Sequence, residues 1–263
     1  MGYMFTIGIV LVGVVILNKL APFCPVFFRR AFHWLYALTF ELIAILSAQM
    51  LRIFFYIFPM KQRLGDPSGT PILLIHGYLH NSSGWFLFRR ALAKRKLGPI
   101  YTIDLFHPFW PISKYAELIE KKREAIRRET GKEELKLVGH SMGGLAALWY
   151  AAHLAKIPTQ VITLGSPLHG TYAAFLALGQ NGKEMRPRSF FMKEMKEILM
   201  RKEFFFYHLG SMSDQLILPA SSAFTGQNSK REYRIEDLGH MSLLFSPCVF
   251  KKVVAWLHED KES

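Results

Sequence analysis

A serine framed by glycines stands between two segments of different character. The run Gly139-His140-Ser141-Met142-Gly143-Gly144 follows the apolar residues 135–138 and precedes the small, helix-forming residues 145–155. A serine at a sharp turn from a strand into a helix acts as a nucleophile, and flanking glycines leave room for its strained backbone. The N-terminus of the following helix directs backbone N–H groups toward a developing oxyanion. A Gly-x-Ser-x-Gly run arises by chance in about one chain in ten of this length, so its flanking elements decide the interpretation.

The hydrophobic pattern of the chain indicates the elements that must position this serine. The continuous apolar run at residues 72–75 predicts a strand buried on both faces, as does the segment at residues 135–138. Further strands are predicted at residues 100–103, 160–164, 205–209 and 232–235. Helical segments alternate with them, at residues 84–96, 115–129, 145–155 and 248–258. This alternation predicts an α/β fold with a mostly parallel central sheet and helices on both faces.

Several runs of the sequence resemble the bacterial lipase and esterase branch of the α/β-hydrolase family. They are Ile75-His76-Gly77-Tyr78, the Ser141 run, Leu164 through Thr171, Asp214 through Pro219, and Gly239-His240. The resemblance covers about residues 71–258 and implies the α/β-hydrolase fold and acyl transfer from an ester, without a metal or an organic cofactor. In that family the pair equivalent to His76-Gly77 shapes an oxyanion loop. The resemblance implies that the backbone N–H groups of Tyr78 and Met142 bind the oxyanion, with Gly139, His140 and Gly143 shaping the site.

The base and the acid follow from the chain order of this fold, which is serine, then acid, then histidine. His240 follows Gly239 on a loop between the last predicted strand and the last predicted helix, from which a base can reach Ser141. The other later histidines fall in predicted helices or strands or, for His169, in a loop that resembles a structural turn. Asp214 follows the 205–209 strand, as the family's acid does, whereas Asp237 lies too close to His240 to orient it. The predicted triad is therefore Ser141, Asp214 and His240.

An insertion at about residues 172–203 occupies the position where the family places a cap or lid. Its apolar residues at helical spacing either bind acyl chains or pack in the core; they are Phe191, Met192, Met195, Ile198 and Leu199. The same two interpretations apply to aromatic residues near the predicted site, which are Trp85, Phe86, Phe106, Phe109 and Trp110.

The first sixty residues differ from the rest of the chain. Residues 4–17 are apolar or small, and residues 31–58 form a second apolar stretch that holds one acid, Glu41, and one base, Arg52. On a helix these two share a polar stripe with His33, Ala37 and Ala48. Such a helix spans a membrane with its stripe on a partner helix, lies in the membrane interface, or packs on the catalytic body. We expect a membrane-associated segment at residues 1–61, a turn-rich linker, and a catalytic domain at residues 71–260.

The net charge of +13 is compatible with nucleic acid, an anionic membrane or an acidic partner. Because no nucleic-acid motif accompanies the basic residues, nucleic-acid binding is not expected. The expected partners are the membrane, through residues 1–58, and a lipid or small-molecule ester. The basic residues beside the two apolar stretches do not fix an orientation, and the oligomeric state stays open. A thioesterase or an acyltransferase on the same fold is the main alternative, and an inactive hydrolase-like membrane protein is a further one.

Overall fold

Six parallel strands form the centre of the computed structural model, which describes residues 26–61, 63–157, 159–201, 205–226 and 231–259, with side chains from residue 35 onward. The strands are β1 (Ile72–Ile75), β2 (Ile100–Ile103), β3 (Lys136–His140), β4 (Gln160–Leu164), β5 (Phe205–Ser211) and β6 (Glu232–Ile235). Their order in the sheet is β2-β1-β3-β4-β5-β6. All residues of β1 and β4 are buried, as expected for central strands of a parallel sheet. The predicted parallel sheet is confirmed.

Helices cover both faces of this sheet. They are α1 (Val26–Ile57), α2 (Phe86–Ala93), α3 (Ile112–Thr130), α4 (Met142–His153), α5 (Gly179–Glu184), α6 (Phe190–Met200) and α7 (Pro247–His258). One core cluster contains residues of α3, α4 and α6, and the other contains residues of α2 and α7. The predicted helix at 84–96 begins as a 3-10 helix, Ser82–Trp85, and its α-helical part ends at Ala93. Three further 3-10 helices lie at Tyr172–Phe175, Ala220–Ala223 and Ser242–Leu244.

Helix α1 packs on the catalytic body through one narrow stripe. Ala37, Glu41, Ala44 and Ala48 are buried, at the spacing of one helical face. The helix contacts the 3-10 helices Ser82–Trp85 and Ser242–Leu244. Of the predicted stripe, Ala37, Glu41 and Ala48 therefore rest on the body rather than on a partner helix, whereas Arg52 is exposed. The side chain of His33 and the apolar run at residues 4–17 lie outside the described residues.

The remaining surface of α1 is apolar and exposed. Its exposed side chains include Leu35, Leu42, Ile45, Leu46, Met50, Ile53, Phe54 and Ile57. By length and composition alone, residues 35–57 would suffice to cross a membrane. A helix buried in a protein core would not leave such a face uncovered, so α1 combines packing on the body with an unpartnered outer face, which we call the outer face of α1.

The apolar residues of the insertion belong to the core. Phe191, Met192, Met195, Ile198 and Leu199 are all buried in the cluster that also contains α3 and α4. The ring of Phe191 stacks on Trp149 with 4.9 Å between ring centroids. Of the two interpretations, core packing is therefore the one that the structure shows; helical periodicity reports a buried face and not the partner that buries it. Trp85 is likewise fully buried in the opposite cluster rather than at a pocket.

Candidate active site

Ser141 lies at the turn between β3 and α4, in a backbone conformation that few side chains adopt. Its φ is +55° and its ψ is −127°, in a region that costs about 1–3 kcal/mol for a non-glycine residue. A Cβ atom on Gly139 would lie 2.5 Å from the Cα of Gly144, and one on Gly143 would lie 2.4 Å from the carbonyl oxygens of Ile75 and His76. Only glycine fits these two positions, which explains the Gly-x-Ser-x-Gly pattern sterically.

Asp214 and His240 form a buried, hydrogen-bonded pair at the ends of neighbouring strands. His240 Nδ1 donates to Asp214 Oδ2 at 2.8 Å. The other carboxylate oxygen, Oδ1, accepts from the backbone N–H groups of Leu216 at 2.8 Å and Ile217 at 3.0 Å. Three donors therefore satisfy this buried carboxylate and fix its direction. Because Nδ1 carries the proton that Asp214 accepts, Nε2 is the basic nitrogen of the neutral imidazole.

The pKa of His240 is raised above its ordinary value. Burial alone lowers it, but the charge of Asp214, the hydrogen bond to Asp214 and the charge of Glu41 together outweigh burial. The Nε2 of His140 donates to the His240 carbonyl oxygen at 3.0 Å, and the two rings lie 4.6 Å apart. Burial holds the pKa of His140 well below its ordinary value. A neutral His140 thus fixes the backbone of the loop that carries His240.

The loop after β1 packs directly against the nucleophile. A Cβ atom on Gly77 would lie 2.8 Å from the Cβ of Ser141, so a larger residue would displace the serine. Met142 is the first residue of α4, where the backbone N–H has no acceptor inside the helix. Neither its N–H nor that of Tyr78 donates to another described residue. Both amides are free to bind an oxyanion, as the family resemblance implies.

His76 is a neutral structural histidine at the base of this loop. Its Nε2 accepts from the backbone N–H of Leu105 at 2.8 Å, and its Nδ1 donates to the Gly77 carbonyl oxygen at 2.8 Å. Asp104 lies 3.9 Å from Nε2, but a nitrogen that accepts a hydrogen bond carries no proton for an ion pair. Burial lowers the pKa of His76 to about 4.

The structure brings the predicted residues together to different degrees. Asp214 is bonded to His240, Gly165 lies against both, and Gly77 lies against Ser141. Within the described residues the Ser141 hydroxyl makes no hydrogen bond to His240. Such bonds are commonly long in enzymes without substrate.

Two groups near His240 were not predicted from the sequence. Glu41 was assigned only to the stripe of α1. The other is His80, whose pKa is lowered by burial and by the charges of Arg52 and His240.

An apolar rim lies beside this site, built from loops of four segments. Tyr78 Oη bonds the backbone of Leu178, and the Gln180 N–H donates to the Phe109 carbonyl oxygen at 3.0 Å. The Tyr172 N–H donates to the Leu218 carbonyl oxygen at 2.8 Å. The exposed side chains of the rim are Leu79, Phe106, Phe109, Trp110, Tyr172, Phe175, Leu176, Leu178, Leu216 and Leu218. Phe106, Phe109 and Trp110 are thus exposed rather than packed in the core, and their place at a pocket mouth stays a prediction.

Acidification is expected to destabilise the fold through its buried neutral histidines. Burial lowers the pKa of both His76 and His208 to about 4, so between pH 6.5 and 4 the unfolded chain binds protons that the folded chain excludes. Each residue should cost up to a few kcal/mol of unfolding free energy over that range, because one pKa unit corresponds to about 1.4 kcal/mol. The raised pKa of His240 acts in the opposite direction. Thermal melting of the detergent-solubilised protein at pH 7, 5.5 and 4.5 measures the net fall.

The variant His208→Gln is the control for this effect, since His208 lies in β5 and bonds only Thr163 among the described side chains. At pH 7 the variant should melt at a lower temperature than the wild type. On acidification, however, its melting temperature should fall less steeply than that of the wild type. Parallel declines would contradict the assignment of the acid sensitivity to buried histidines.

Comparisons with known proteins agree with this geometry. A family model described as "Alpha/beta hydrolase family" matches residues 72–247. The mature lipase BlEst2 of Bacillus licheniformis is similar in structure, with a TM-score of 0.60, 18% identity, and coverage of 74% of this chain and 96% of the lipase. A carboxylesterase of Bacillus subtilis has a TM-score of 0.55 at 13% identity, covering 82% of this chain and 98% of its own. At such identities the likeness establishes the fold alone.

One similar structure extends over the N-terminal helix as well. A membrane phospholipase A, described as a bacterial virulence factor, has a TM-score of 0.53 at 16% identity and covers 97% of this chain and 98% of its own. No match was found among curated proteins.

Proposed function

Because the chain belongs to the alpha/beta hydrolase family, we propose that it is a serine hydrolase that cleaves carboxylic esters. One observation carries the proposal, which is the buried pair of Asp214 and His240 with 2.8 Å between carboxylate and imidazole. The pair lies on loops at the same edge of the sheet as the strained turn of Ser141. This arrangement supplies a nucleophile, a base and an orienting acid in the chain order of the family.

The proposed reaction proceeds through an acyl-enzyme. His240 Nε2 takes the proton of Ser141 as Oγ attacks the ester carbonyl, and Asp214 stabilises the resulting imidazolium. The N–H groups of Tyr78 and Met142 bind the negative oxygen of the tetrahedral intermediate. The imidazolium then protonates the leaving alcohol, and water, activated by the same imidazole, hydrolyses the acyl-enzyme. Every step uses residues of this chain.

We propose further that the substrate is a lipid ester at a membrane. The outer face of α1 and the apolar rim both expose large apolar side chains that water does not favour. Since α1 packs on the body along its other side, its outer face can be covered by a bilayer surface on which the body rests. In this proposal residues 1–61 attach the protein to the membrane and residues 71–260 form the catalytic domain. The likeness to a membrane phospholipase A over 97% of the chain supports it.

Covalent labelling of the detergent-solubilised full-length protein tests the chemistry. A fluorophosphonate probe should modify one serine, and mass spectrometry of the labelled peptide should identify Ser141, because only an activated serine attacks such a phosphorus centre at neutral pH. Heat-denatured protein is the control and should not be labelled. Modification of a different serine, or none, would contradict the proposal.

Hydrolysis rates test the substrate class. Long-chain ester micelles are expected to be cleaved with a higher kcat/KM than short p-nitrophenyl esters, because the rim offers apolar contact to long chains. Activity confined to the short, soluble esters would refute the lipid substrate while leaving the serine hydrolase proposal intact.

A further inference from the structure

A buried carboxylate from helix α1 holds the loop that carries His240. Glu41 is 5% exposed and lies about two hundred residues before that loop in the sequence. Its Oε1 accepts from the backbone N–H of Met241 at 2.8 Å, and its Oε2 accepts from that of Ser242 at 3.0 Å. These donors lie at the start of the 3-10 helix Ser242–Leu244, directly after His240. Charged acceptors at such a position make strong hydrogen bonds.

The backbone on the other side of His240 also fits against Glu41. A Cβ atom on Gly239 would lie 2.4 Å from Glu41 Oε2 and 2.7 Å from Glu41 Cβ. Glycine at this position thus permits the close approach of α1. The contacts of Glu41 therefore flank His240 on both sides, at residues 239, 241 and 242.

We infer that Glu41 is a positioning residue, through which the docking of the apolar helix α1 completes the hydrolase site. It holds the His240 loop by two hydrogen bonds and places a negative charge near the imidazole. The inference rests on the proposed serine hydrolase function and adds a fourth residue to its machinery. Its consequence is that the helix with the exposed apolar face and the catalytic base form one unit.

The charge of Glu41 has a measurable effect on His240. The ionisable groups that act on this imidazole are Asp214 and Glu41, with His140 and His80 as neighbouring histidines whose own pKa values are lowered by burial. Since Glu41 raises the pKa of His240, removal of its charge lowers that pKa. A base with a lower pKa stays neutral to lower pH, so the acidic limb of kcat/KM shifts to lower pH.

Two substitutions in the full-length, detergent-solubilised protein separate the effect of the hydrogen bonds that hold the His240 loop from the effect of the negative charge of Glu41. Glu41→Gln keeps the shape but removes the charge; we expect kcat/KM for p-nitrophenyl butyrate to fall about ten-fold or more, with the acidic limb shifted to lower pH. Glu41→Asp keeps the charge but is one methylene shorter, so the rate should fall while the limb shifts less. Glu117→Gln, the same change at an exposed helical position, should alter neither property.

The outcomes distinguish this inference from the proposed function. If the wild type neither hydrolyses esters nor reacts with fluorophosphonate, the proposed function fails. If the wild type is active and both Glu41 variants keep its rate and its acidic limb, the positioning role is wrong. Should Glu41→Gln melt more than about 10 °C below the wild type, Glu41→Asp decides: wild-type kcat/KM in that variant overturns the inference, and a lower kcat/KM supports it.

A second, independent feature lies beneath the C-terminal half of α1. A cavity of about 910 Å³ separates this part of the helix from the body. Four basic residues line it, Arg52, Lys61, Arg89 and Lys122, against one carboxylate, Asp104. That carboxylate is already engaged, because it accepts from the backbone N–H of Ser82 at 2.6 Å and from its hydroxyl at 3.0 Å. The excess of positive charge in a partly enclosed space favours an anionic ligand.

Arg89 is the most deeply buried of the four basic residues that line this cavity. It is 2% exposed, and its Nη2 donates to the Lys61 carbonyl oxygen at 2.7 Å. Its Nε is buried without a hydrogen-bond partner, and the guanidinium has no carboxylate partner among the described residues. A buried guanidinium whose charge has no anionic partner is costly, and a planar donor group of this kind matches phosphate oxygens.

The geometry points to this cavity as a binding site for a phosphate group, which at a membrane is the headgroup phosphate of a phospholipid. The loop that follows Tyr78 continues as Asn81–Ser83 into the cavity wall, so the cavity lies beside the oxyanion loop. Arg52 and His240 both lower the pKa of His80, which belongs to the segment between Tyr78 and the cavity wall. A phospholipid could therefore place an ester at Ser141 with its phosphate among these cations. This proposal too rests on the proposed ester hydrolysis and names its substrate class.

Matched substrates test the basic cavity. We expect Arg52→Gln and Arg89→Gln to raise the KM for phosphatidylglycerol in mixed micelles about ten-fold or more, while kcat/KM for p-nitrophenyl butyrate stays near wild type. The control Arg90→Gln lies on the same helix as Arg89 but outside the cavity, and should change neither. Inorganic phosphate at millimolar concentration distinguishes free phosphate from a lipid headgroup as the ligand. If it inhibits phospholipid hydrolysis by the wild type but not by Arg52→Gln, the site also accepts free phosphate. If it does not inhibit the wild type but the substitutions still raise the KM, the site is specific for the lipid headgroup.

An unchanged ratio of phospholipid to p-nitrophenyl butyrate activity in both variants would overturn the phosphate site. Because Arg52 is exposed, its substitution is not expected to unfold the protein, so Arg52→Gln remains decisive if Arg89→Gln is unstable. If the wild type does not hydrolyse p-nitrophenyl butyrate at all, the proposed function itself is refuted.

Discussion

Replacement of Ser141 by alanine is expected to lower kcat for p-nitrophenyl butyrate by roughly a million-fold, to the level of the uncatalysed reaction plus binding effects. The proposed acyl-enzyme forms on Ser141 Oγ, and among the described residues no other hydroxyl stands at the turn between β3 and α4. The fold should survive, because alanine removes only the hydroxyl from a position where φ is +55°. Steady-state hydrolysis and fluorophosphonate labelling of the purified variant measure the effect.

The matched control for this experiment is Ser166→Ala. Ser166 is fully buried next to the same turn, with its hydroxyl close to Gly144 and without a hydrogen-bond partner among the described residues. Its removal should leave kcat within a few-fold of the wild type. If Ser141→Ala kept more than a thousandth of the wild-type rate, a different nucleophile would have to carry the reaction.

The elements around Ser141 could be predicted because their signals are local. Residues such as Ile72–Ile75 are apolar without interruption, and a four-residue run of this kind between turns has few alternatives to a buried strand. The turn at Ser141 is likewise dictated by nearby glycines, since Gly139 and Gly143 have no space for a Cβ atom. The chain order then proposes Asp214 and His240 as acid and base, and the structure places these two within hydrogen-bonding distance.

Features that depend on distant contacts could not be predicted in the same way. Glu41 reads as a polar interruption of an apolar helix, and nothing near it in the sequence points to Met241 or Ser242. The apolar face of α6 can be predicted from the helical spacing of its apolar residues, but this spacing does not show whether the core or a ligand covers the face. In both cases the missing information is the tertiary partner, which a pattern along one segment does not contain.

Replacement of Asp214 by asparagine is expected to lower kcat about ten-thousand-fold with little loss of folding. The asparagine carbonyl oxygen can still accept from the N–H groups of Leu216 and Ile217, which Oδ1 of Asp214 binds at 2.8 and 3.0 Å. Its amide nitrogen then faces His240 Nδ1 and donates to it. The imidazole proton is thereby forced onto Nε2, the nitrogen that must take the proton of Ser141, and the base is disabled.

The pH profile adds a second readout to this substitution. The charge of Asp214 and its hydrogen bond raise the pKa of His240 against the effect of burial, so the variant's residual activity should persist to lower pH than that of the wild type. Asp237→Asn is the control, because Asp237 is the only other aspartate close to His240 in sequence and makes no described hydrogen bond to it. A near-normal rate in Asp214→Asn combined with a large loss in Asp237→Asn would move the acid of the triad to Asp237, three residues from the base, and would require the His240 loop to refold around it.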